Sequence, residues 1–431
     1  MSLHRIGYYA AVRSQTWLTM LLVMASIGLS APRAQEADRV VFALADQPAV
    51  RAALDAAKAN EPQTIENQIR LSEIPAPPFQ EGARGEEMKR LFQQAGLRNV
   101  RVDKSGNVLG DRPGAAPRPR LVIAAHLDTV FPEGTNVTVR RTGAVLHGPG
   151  IGDDSRGLAV LVAIARALNQ ANVQTPGSIT FVADVGEEGL GDLRGMKALF
   201  DETLKGIVDR FVTIDGTGMS VAHSFVGSRR YRVTYRGPGG HSFADFGTAN
   251  PAGALGRAIA KIAQFQVPAE PQTTFNVGRI GGGTSVNAIP AEAWMEVDLR
   301  SVDHGALVAL DARLSQALEA ALTEERARWR AGGSLTMTKQ QVGERPAGAT
   351  PTSSIVVQAA MAATRAVGAV PLSTVSSSDA NYPTSLGIPA VQIGGGGAGA
   401  DAHATTESFD TTDSWRGTQR ALLLTIALAQ K

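Results

Sequence analysis

The sequence contains no cysteine among its 431 residues, and this absence limits the chemistry available to it. Without cysteine there are no disulfide bonds, thiol nucleophiles, iron–sulfur clusters or cysteine-ligated zinc sites, so His, Asp and Glu must hold any metal ion. Aromatic residues are scarce at 5%, and 42 basic against 40 acidic residues give a net charge of +2. Because no run of lysine or arginine stands out either, we do not expect a nucleic-acid-binding surface.

Long apolar runs are also missing, apart from a short one near the N-terminus. Residues 1–36 combine Arg5 and Arg13 with an apolar run from Trp17 to Leu29 and small residues before Ala34, which is typical of a secretory signal peptide. The run is shorter than the roughly 20 residues that span a bilayer. We therefore expect cleavage and export to a periplasm or the exterior, with an uncleaved N-terminal anchor as the alternative.

The remaining chain has the composition of a folded protein, with 43% hydrophobic and 19% charged residues. Alternating buried strands and helices in residues 37–225 and 342–431 predict an α/β fold, a mostly parallel sheet with helices on both faces. Residues 226–341 instead follow the order βαββαβ, which is typical of a ferredoxin-like α+β unit. We therefore expect one discontinuous catalytic domain with a smaller domain inserted into it.

Imidazole and acidic side chains follow the predicted buried strands. His126 and Asp128 come directly after the predicted strand Leu121–Ala125, and a two-residue step on an extended chain points both side chains the same way. One of them can then bind a metal ion while the other orients the imidazole. Taken alone, a single buried histidine is more often structural.

The other strand exits and loops repeat this pattern. They carry Asp153, Glu187, Glu188, Asp215 and His403. An aspartate N-cap or a solvated pair of glutamates explains each feature singly. Yet like charges at the exit of a buried strand need cations or protons nearby, and sites collect beyond the carboxyl ends of parallel strands. Oxygen and imidazole ligands without sulfur suit zinc, manganese or cobalt, and Glu187 could accept a proton from an attacking water.

Six motifs resemble those of the two-zinc peptidases that include glutamate carboxypeptidase, aminoacylase, succinyl-diaminopimelate desuccinylase, carnosinase and peptidase T. The motifs are Ala125-His-Leu-Asp-Thr-Val130, Gly150-Ile-Gly-Asp-Asp154, Gly186-Glu-Glu188, Ile214-Asp-Gly216, Gly239-Gly-His-Ser242 and the late His403. The resemblance spans roughly residues 60–430 and implies a zinc-exopeptidase-like fold with two divalent metal ions per subunit, zinc in the first place and cobalt or manganese as substitutes.

The resemblance also implies a role for each matching residue. His126 and Asp215 would bind one metal ion, and Glu188 and His403 the other. Asp153 would bridge the two ions, Asp128 would orient His126, and Glu187 would be the general base. Two departures stand out, because Ser155 and Arg156 follow the paired aspartates and the neighbours of His403 are unusual.

The inserted unit resembles the lid and dimerisation domain of the same family. By that resemblance, His241 reaches the active site of a partner subunit and stabilises the oxyanion, so we expect a homodimer. Asn287 and Arg300 match positions that bind a substrate carbonyl or carboxylate. A strand-end ion pair is the alternative explanation for Arg300.

Asp215 stands where carboxypeptidases and deacylases of the family generally have Glu, and Ile214-Asp-Gly216 most resembles peptidase T. We therefore expect an exported aminopeptidase that acts on di- or tripeptides. The alternatives are an N-acyl amino acid deacylase or carboxypeptidase, an inactive periplasmic peptide-binding protein, and a two-zinc aminopeptidase without a lid. The intact Glu187 disfavours the binding protein, and the inserted unit disfavours the last of these.

Overall fold

The computed structural model describes residues 34–329 and 335–430. Residues 1–33, most of the predicted signal peptide, lie outside the described residues, while residues 34–36 begin the first helix. Within these two ranges, no helix is both long enough and apolar enough to cross a membrane.

The strands of the described residues form four sheets. In chain order they are β1 (Arg98–Val102), β2 (Val108–Arg112), β3 (Arg120–His126), β4 (Arg140–Thr142), β5 (Val145–His147), β6 (Ser178–Asp184), β7 (Arg210–Ile214), β8 (Ser220–Phe225), β9 (Gly227–Arg236), β10 (Gly240–His241), β11 (Thr273–Gly282), β12 (Ala288–Ile289), β13 (Glu292–Ser301), β14 (Thr336–Arg345), β15 (Gly348–Ala349), β16 (Leu372–Ser376), β17 (Ala390–Ile393), β18 (Ala398–Ala400) and β19 (Ser408–Asp410).

The helices cover these sheets. They are α1 (34–45), α2 (Pro48–Ala59), α3 (Glu61–Ser72), α4 (Gly82–Gln94), α5 (Ser155–Gln170), α6 (Arg194–Ala198), α7 (Pro251–Ile262), α8 (His304–Arg328), α9 (Ile355–Ala366), α10 (Asn381–Ser385) and α11 (Trp415–Leu428). A π-helical turn, Leu199–Thr203, directly continues α6.

The main sheet has the strand order β1-β2-β6-β3-β7-β17-β8-β15, with β16 also paired to β8. Its centre, β6-β3-β7-β17, is parallel, and antiparallel pairs flank it on both sides. The predicted mostly parallel α/β fold is therefore confirmed. Because the central strands run the same way, the loops after His126, Asp184, Ile214 and Ile393 all leave from one edge.

Helices cover both faces because side chains alternate along each buried strand. In β3, Leu121 and Ile123 pack into a core with α2, α4, α5, α9 and α11, whereas Val122 and Ala124 face α6 and the π-helical turn. These four side chains are completely buried. Burying an aliphatic side chain of this size contributes about 1.5–3 kcal/mol, so the two apolar layers hold the central strands in place.

The segment between β9 and β14 forms a second, antiparallel sheet in the order β11-β13-β9-β14. With α7 and α8 it follows the predicted order βαββαβ. Along β13 burial alternates strictly, so Met295 and Leu299 pack against α7 and α8 while Asp298 and Arg300 lie on the opposite face. The last strand continues to Arg345, four residues past the boundary expected at 341.

A small sheet in the order β18-β19-β5-β4 was not anticipated from the sequence. Its strands are three residues long, too short to show a period of two. Pairing of Ser408 with His147 and of Asp410 with Val145 brings the segment around His403 beside the glycine-rich loop that contains Asp153.

Candidate metal centre

His126 ends β3 at the edge where the central strands finish. Its side chain is 1% exposed; the ring Nδ1 lies 3.0 Å from the carbonyl oxygen of Asp128, and Nε2 lies 3.0 Å from Asp153 Oδ1. Burial alone would lower the pKa of His126, but the hydrogen bond with Asp153 and the charge of Asp154 raise it well above its usual value. The imidazole therefore faces a surplus of negative charge.

The Asp128 carboxylate supports the loop that carries the paired glutamates. It accepts the backbone N–H groups of Gly186 at 3.0 Å, Glu187 at 3.1 Å and Glu188 at 2.8 Å. Its Oδ1 is 3.8 Å from His126 Nδ1, too far for a hydrogen bond, so the hydrogen-bond partner of the ring is the Asp128 carbonyl.

The two adjacent aspartates face different partners. Asp154 is the N-cap of α5, accepting the Gly157 N–H at 3.1 Å, and it also accepts the His126 N–H at 3.2 Å. Asp153 instead lies between two imidazoles, with Oδ1 3.0 Å from His126 Nε2 and Oδ2 3.1 Å from His403 Nε2. The helix-capping explanation therefore applies to Asp154 and leaves the Asp153 carboxylate for the site.

Three groups of side chains each place possible ligand atoms within 4.8 Å of one another. They are His126 with Glu187 and Glu188, His126 with Asp153 and Asp215, and Asp153 with Glu188 and His403. The second and third groups share only Asp153 and together contain all five residues expected to bind metal.

The donor set fits two divalent cations. Burial and, after it, the charge of Asp153 raise the pKa of Asp215 well above its usual value. Burial likewise raises the pKa of Glu187 to about 6, with the charge of Glu188 adding to the effect. Buried carboxylates this crowded require protons or cations, and oxygen and imidazole ligands suit zinc and similar ions.

His403 occupies a loop whose backbone is unusual. Its φ is 67°, in the left-handed region that residues other than glycine rarely adopt. Nε2 lies 3.0 Å from Glu188 Oε1 as well as near Asp153, although the side chain is 56% exposed. Such conformations concentrate at functional sites, where surrounding contacts hold them.

Glu407 joins the His403 loop to the Asp153 loop. Its buried carboxylate accepts the backbone N–H groups of Gly150 at 2.7 Å, Gly152 at 2.8 Å and Asp153 at 3.0 Å. Burial raises the pKa of Glu407 to about 7, while these three hydrogen bonds favour the ionised form. The sequence analysis did not single out Glu407.

A cavity of about 430 Å³ opens between this centre and the second sheet. Its lining includes the acidic and imidazole side chains of the centre, Arg230, Arg300 and Arg345 from the second sheet, and two serines at the end of β16, Ser376 and Ser377. Arg300 also pairs with Asp298, Nε to Oδ2 at 2.7 Å. Arg300 therefore both lines the cavity and forms the strand-end ion pair.

Arg345 is a cavity residue that the sequence analysis did not single out. Its Nη1 donates to Glu187 Oε1 at 2.7 Å, and its Nη2 donates to the Glu187 carbonyl oxygen. Both side chains are buried, at 7% and 6% exposure. No motif marks Arg345, since only the pairing of β14 with β9 brings it to the site.

His241 and Asn287 do not join the site within one chain. Both are exposed, and they lie together through the Ser242 N–H, which donates to the Asn287 carbonyl at 3.0 Å. Neither residue belongs to the described lining of the cavity. Of the predicted residues outside the ligand set, the structure therefore brings Glu187, Asp128 and Arg300 to the centre, while these two are not part of the cavity lining.

Comparison with known proteins identifies the chain's relatives. The sequence profile of Peptidase family M20/M25/M40 matches residues 122–426. The succinyl-diaminopimelate desuccinylase of Corynebacterium glutamicum is 27% identical over 238 residues, which are 54% of this chain and 64% of that enzyme. The chain thus spans somewhat less than two thirds of that relative's length.

Solved structures share the fold over most of their length. A tripeptidase of Staphylococcus aureus aligns with a TM-score of 0.72 at 22% identity, and aminopeptidase PepT of Bacillus cereus with 0.70 at 22%, each covering 86% of this chain and 99% of the other. The YXEP protein of Bacillus subtilis, described as a dinuclear metal binding peptidase, aligns with 0.64 at 19%, covering 86% and 98%.

Proposed function

Since the chain belongs to Peptidase family M20/M25/M40, we propose that it is an aminopeptidase that removes N-terminal residues from di- or tripeptides with two divalent metal ions. The observation that carries the proposal is the shared position of Asp153. Asp153 belongs both to the candidate ligand group that contains Asp215 and to the group that contains His403. A carboxylate shared by two ligand groups is the arrangement expected of a site for two divalent ions.

In this proposal His126 and Asp215 would hold one ion, Glu188 and His403 would hold the other, and Asp153 would contribute to both. Zinc is the first choice of metal, with cobalt or manganese as substitutes. Such ions would supply Lewis acidity, which would polarise the substrate carbonyl and lower the pKa of water so that it can be deprotonated and attack.

Glu187 would then move the proton. It takes the proton from the attacking water and later delivers it to the leaving amine, two steps that one carboxyl group can perform when its pKa lies near the working pH. Burial, which raises the pKa of Glu187 to about 6, favours this role. Asp128 holds the same loop through three backbone N–H groups, so the base has a fixed position relative to His126.

Two features support an aminopeptidase over its alternatives. Asp215, rather than Glu, follows β7, and the folds of a tripeptidase and of aminopeptidase PepT align over 86% of the chain. The alternative, an N-acyl amino acid deacylase or carboxypeptidase, is favoured by Arg300 in the cavity wall and by the desuccinylase similarity. Arg pairs bidentately with a carboxylate, which such substrates carry.

The experiment that separates the two incubates zinc-loaded and cobalt-loaded protein with free dipeptides, tripeptides and N-acetyl amino acids. Products are identified by mass spectrometry. Release of N-terminal residues supports the aminopeptidase, whereas cleavage of N-acetyl amino acids alone would replace it with the deacylase. No product from any substrate, with two ions bound, would favour an unusual amide substrate or the peptide-binding alternative.

We further propose export and a homodimer. Export rests on the basic and apolar pattern of residues 1–36. The dimer rests on His241, which is exposed and does not line the cavity of its own chain, as expected of a residue that serves a partner's site. In this proposal residues 226–341 form the lid and dimerisation domain, and 37–225 with 342–431 form the catalytic domain.

A further inference from the structure

We propose that Arg345 is a positioning residue that fixes the carboxylate of Glu187, so that the inserted sheet sets the geometry of the base. This inference rests on the proposed function, in which Glu187 transfers the proton. The observation behind it is a buried contact between two parts of the fold that are 158 residues apart, Arg345 on the last position of β14 and Glu187 beyond the end of β6.

The contact is bidentate and shielded from water. One guanidinium nitrogen donates to Glu187 Oε1 at 2.7 Å, and the other donates to the carbonyl of the same residue. Nη1 also donates to Ser377 Oγ at 3.0 Å, which further restrains the guanidinium. Because Arg345 binds both the side chain and the backbone of Glu187, the carboxylate has little freedom to rotate.

The arrangement leaves the second carboxylate oxygen available. Among the described residues, no hydrogen bond to Glu187 Oε2 is present, whereas Oε1 is occupied by Arg345. A carboxylate held by one oxygen presents the other in a defined direction, which is what a general base needs to meet a proton on an attacking water.

The rest of the base loop, defined as residues 187–192, is attached to the same sheet. Arg230 of β9 donates through Nη1 to the Gly189 carbonyl at 2.9 Å, and the Glu344 N–H donates to Asp192 Oδ1 at 2.6 Å. The base loop therefore accepts hydrogen bonds from one residue of β9 and from two residues of β14. The position of the base loop therefore depends on the inserted sheet as well as on the hydrogen bonds with Asp128.

Among the described residues, no acid of its own sheet forms an ion pair with Arg345. Its backbone pairs with Ser228 of β9, and its side chain turns toward the main sheet, where Glu187 is its ion-pair partner. Arg232 of β9, by contrast, pairs with Glu296 of β13 at 2.9 Å, within the inserted sheet. Arg232 thus offers a matched control for loss of an arginine from the same sheet.

The test compares Arg345→Met, Arg345→Lys and Arg232→Met in the metal-loaded, full-length protein with the best substrate of the wild type. For Arg345→Met we expect kcat to fall about 10- to 100-fold, because small misplacement of a catalytic group costs this much. KM should change little and two ions should remain bound. Arg345→Lys, which keeps one cationic nitrogen, should recover part of kcat, and Arg232→Met should retain it.

An activity-independent readout accompanies the kinetics. Hydrogen exchange of the base loop should accelerate in Arg345→Met and stay unchanged in Arg232→Met. Wild-type kcat in Arg345→Met, or an equal loss in Arg232→Met, would overturn the inference. A raised KM at constant kcat would also overturn it, since Arg345 would then bind substrate. If the wild type cleaves no peptide or acyl amino acid, the proposed function fails, while hydrogen exchange still decides whether Arg345 holds the loop.

Discussion

Glu407 accepts the backbone N–H of Asp153 at 3.0 Å, across a separation of 254 residues. The same carboxylate accepts the N–H groups of Gly150 and Gly152, so one buried side chain fixes the backbone of the loop that carries Asp153. Because Glu407 lies four residues after His403, it ties together the two segments that supply Asp153 and His403. The geometry of the proposed bridge thus depends on a residue that would touch neither ion.

Replacing Glu407 with Gln should therefore weaken metal binding. The amide has one acceptor oxygen and points an NH₂ group toward backbone donors, so the loop can no longer satisfy all three N–H groups. We expect affinity for the ions to fall about 10- to 100-fold, as is usual when a supporting residue of a metal site is lost. Titration with competing chelators measures it, with the exposed Asp413→Asn as control. Unchanged affinity would contradict this role of Glu407.

Glu187→Gln should separate catalysis from metal binding. The amide can still accept from Arg345 but cannot take up a proton, so turnover should fall by about 10²- to 10⁴-fold. Elemental analysis should still find two ions per chain, because Glu187 is not a proposed ligand. Glu188→Gln provides the contrast and should lose an ion. Substantial turnover by Glu187→Gln would rule out Glu187 as the base.

The fold, and the gathering of the proposed ligands at one edge of the main sheet, could be predicted because their signals are local. Leu121–Ala125 is a continuous apolar run, and His126 follows it directly, so both the strand and the position of the histidine at its end can be read from consecutive residues. The structure extends that strand by one residue at each end, to Arg120–His126. Asp153 and Asp215 likewise adjoin well-marked elements.

Arg345 and Glu407 could not be found in this way, because their roles depend on pairing between distant segments. Arg345 reaches Glu187 only through the register of β14 on β9, and Glu407 reaches Asp153 only because β19 pairs with β5. Neither pairing leaves a periodic signal in sequence. His241 poses a different problem, since its expected role requires a second chain.

Metal stoichiometry should distinguish the proposed bridge from the ligands on either side. Asp153→Asn should lose both ions under conditions in which Asp215→Asn or His403→Ala loses one. The reason is that Asp153 is the one residue shared by the group that contains Asp215 and the group that contains His403. Elemental analysis after equal dialysis of the three variants measures this. Loss of a single ion from Asp153→Asn, with the other tightly bound, would show that Asp153 does not bridge.

A buried pair of acids should make stability depend on pH. The carboxyl groups of Asp184 and Asp379 are fully buried, and no donor from the described residues reaches any of their four oxygens, so they can bond to each other only if one is protonated. Burial raises the pKa of Asp184 to about 8. The folded chain therefore binds more protons than the unfolded one between about pH 4 and pH 8, and the contribution to stability is lost as pH rises.

Asp379→Asn should flatten that dependence, since an amide donates to Asp184 at every pH. In excess chelator, the urea midpoint of the wild type should fall between pH 5 and pH 9 by more than that of Asp379→Asn. Subtracting the pH dependence of Asp379→Asn from that of the wild type removes the contributions of the other buried acids, including Asp154, because both proteins contain them. Parallel pH profiles for the two proteins would show that the pair carries no shared proton.

His241 tests whether two chains build one site. His241→Ala should bind both ions and lose turnover, because donors aimed at a developing oxyanion typically contribute about 10²- to 10³-fold to kcat. If His241 serves the partner's site, mixing inactive His241→Ala with inactive Glu187→Gln and allowing subunits to exchange should restore activity. In the mixed dimer one site then has both an intact base and an intact histidine. Exchange is confirmed by giving only one variant an affinity tag and recovering the untagged variant with it. If the subunits exchange without any recovery of activity, the histidine does not act across the dimer.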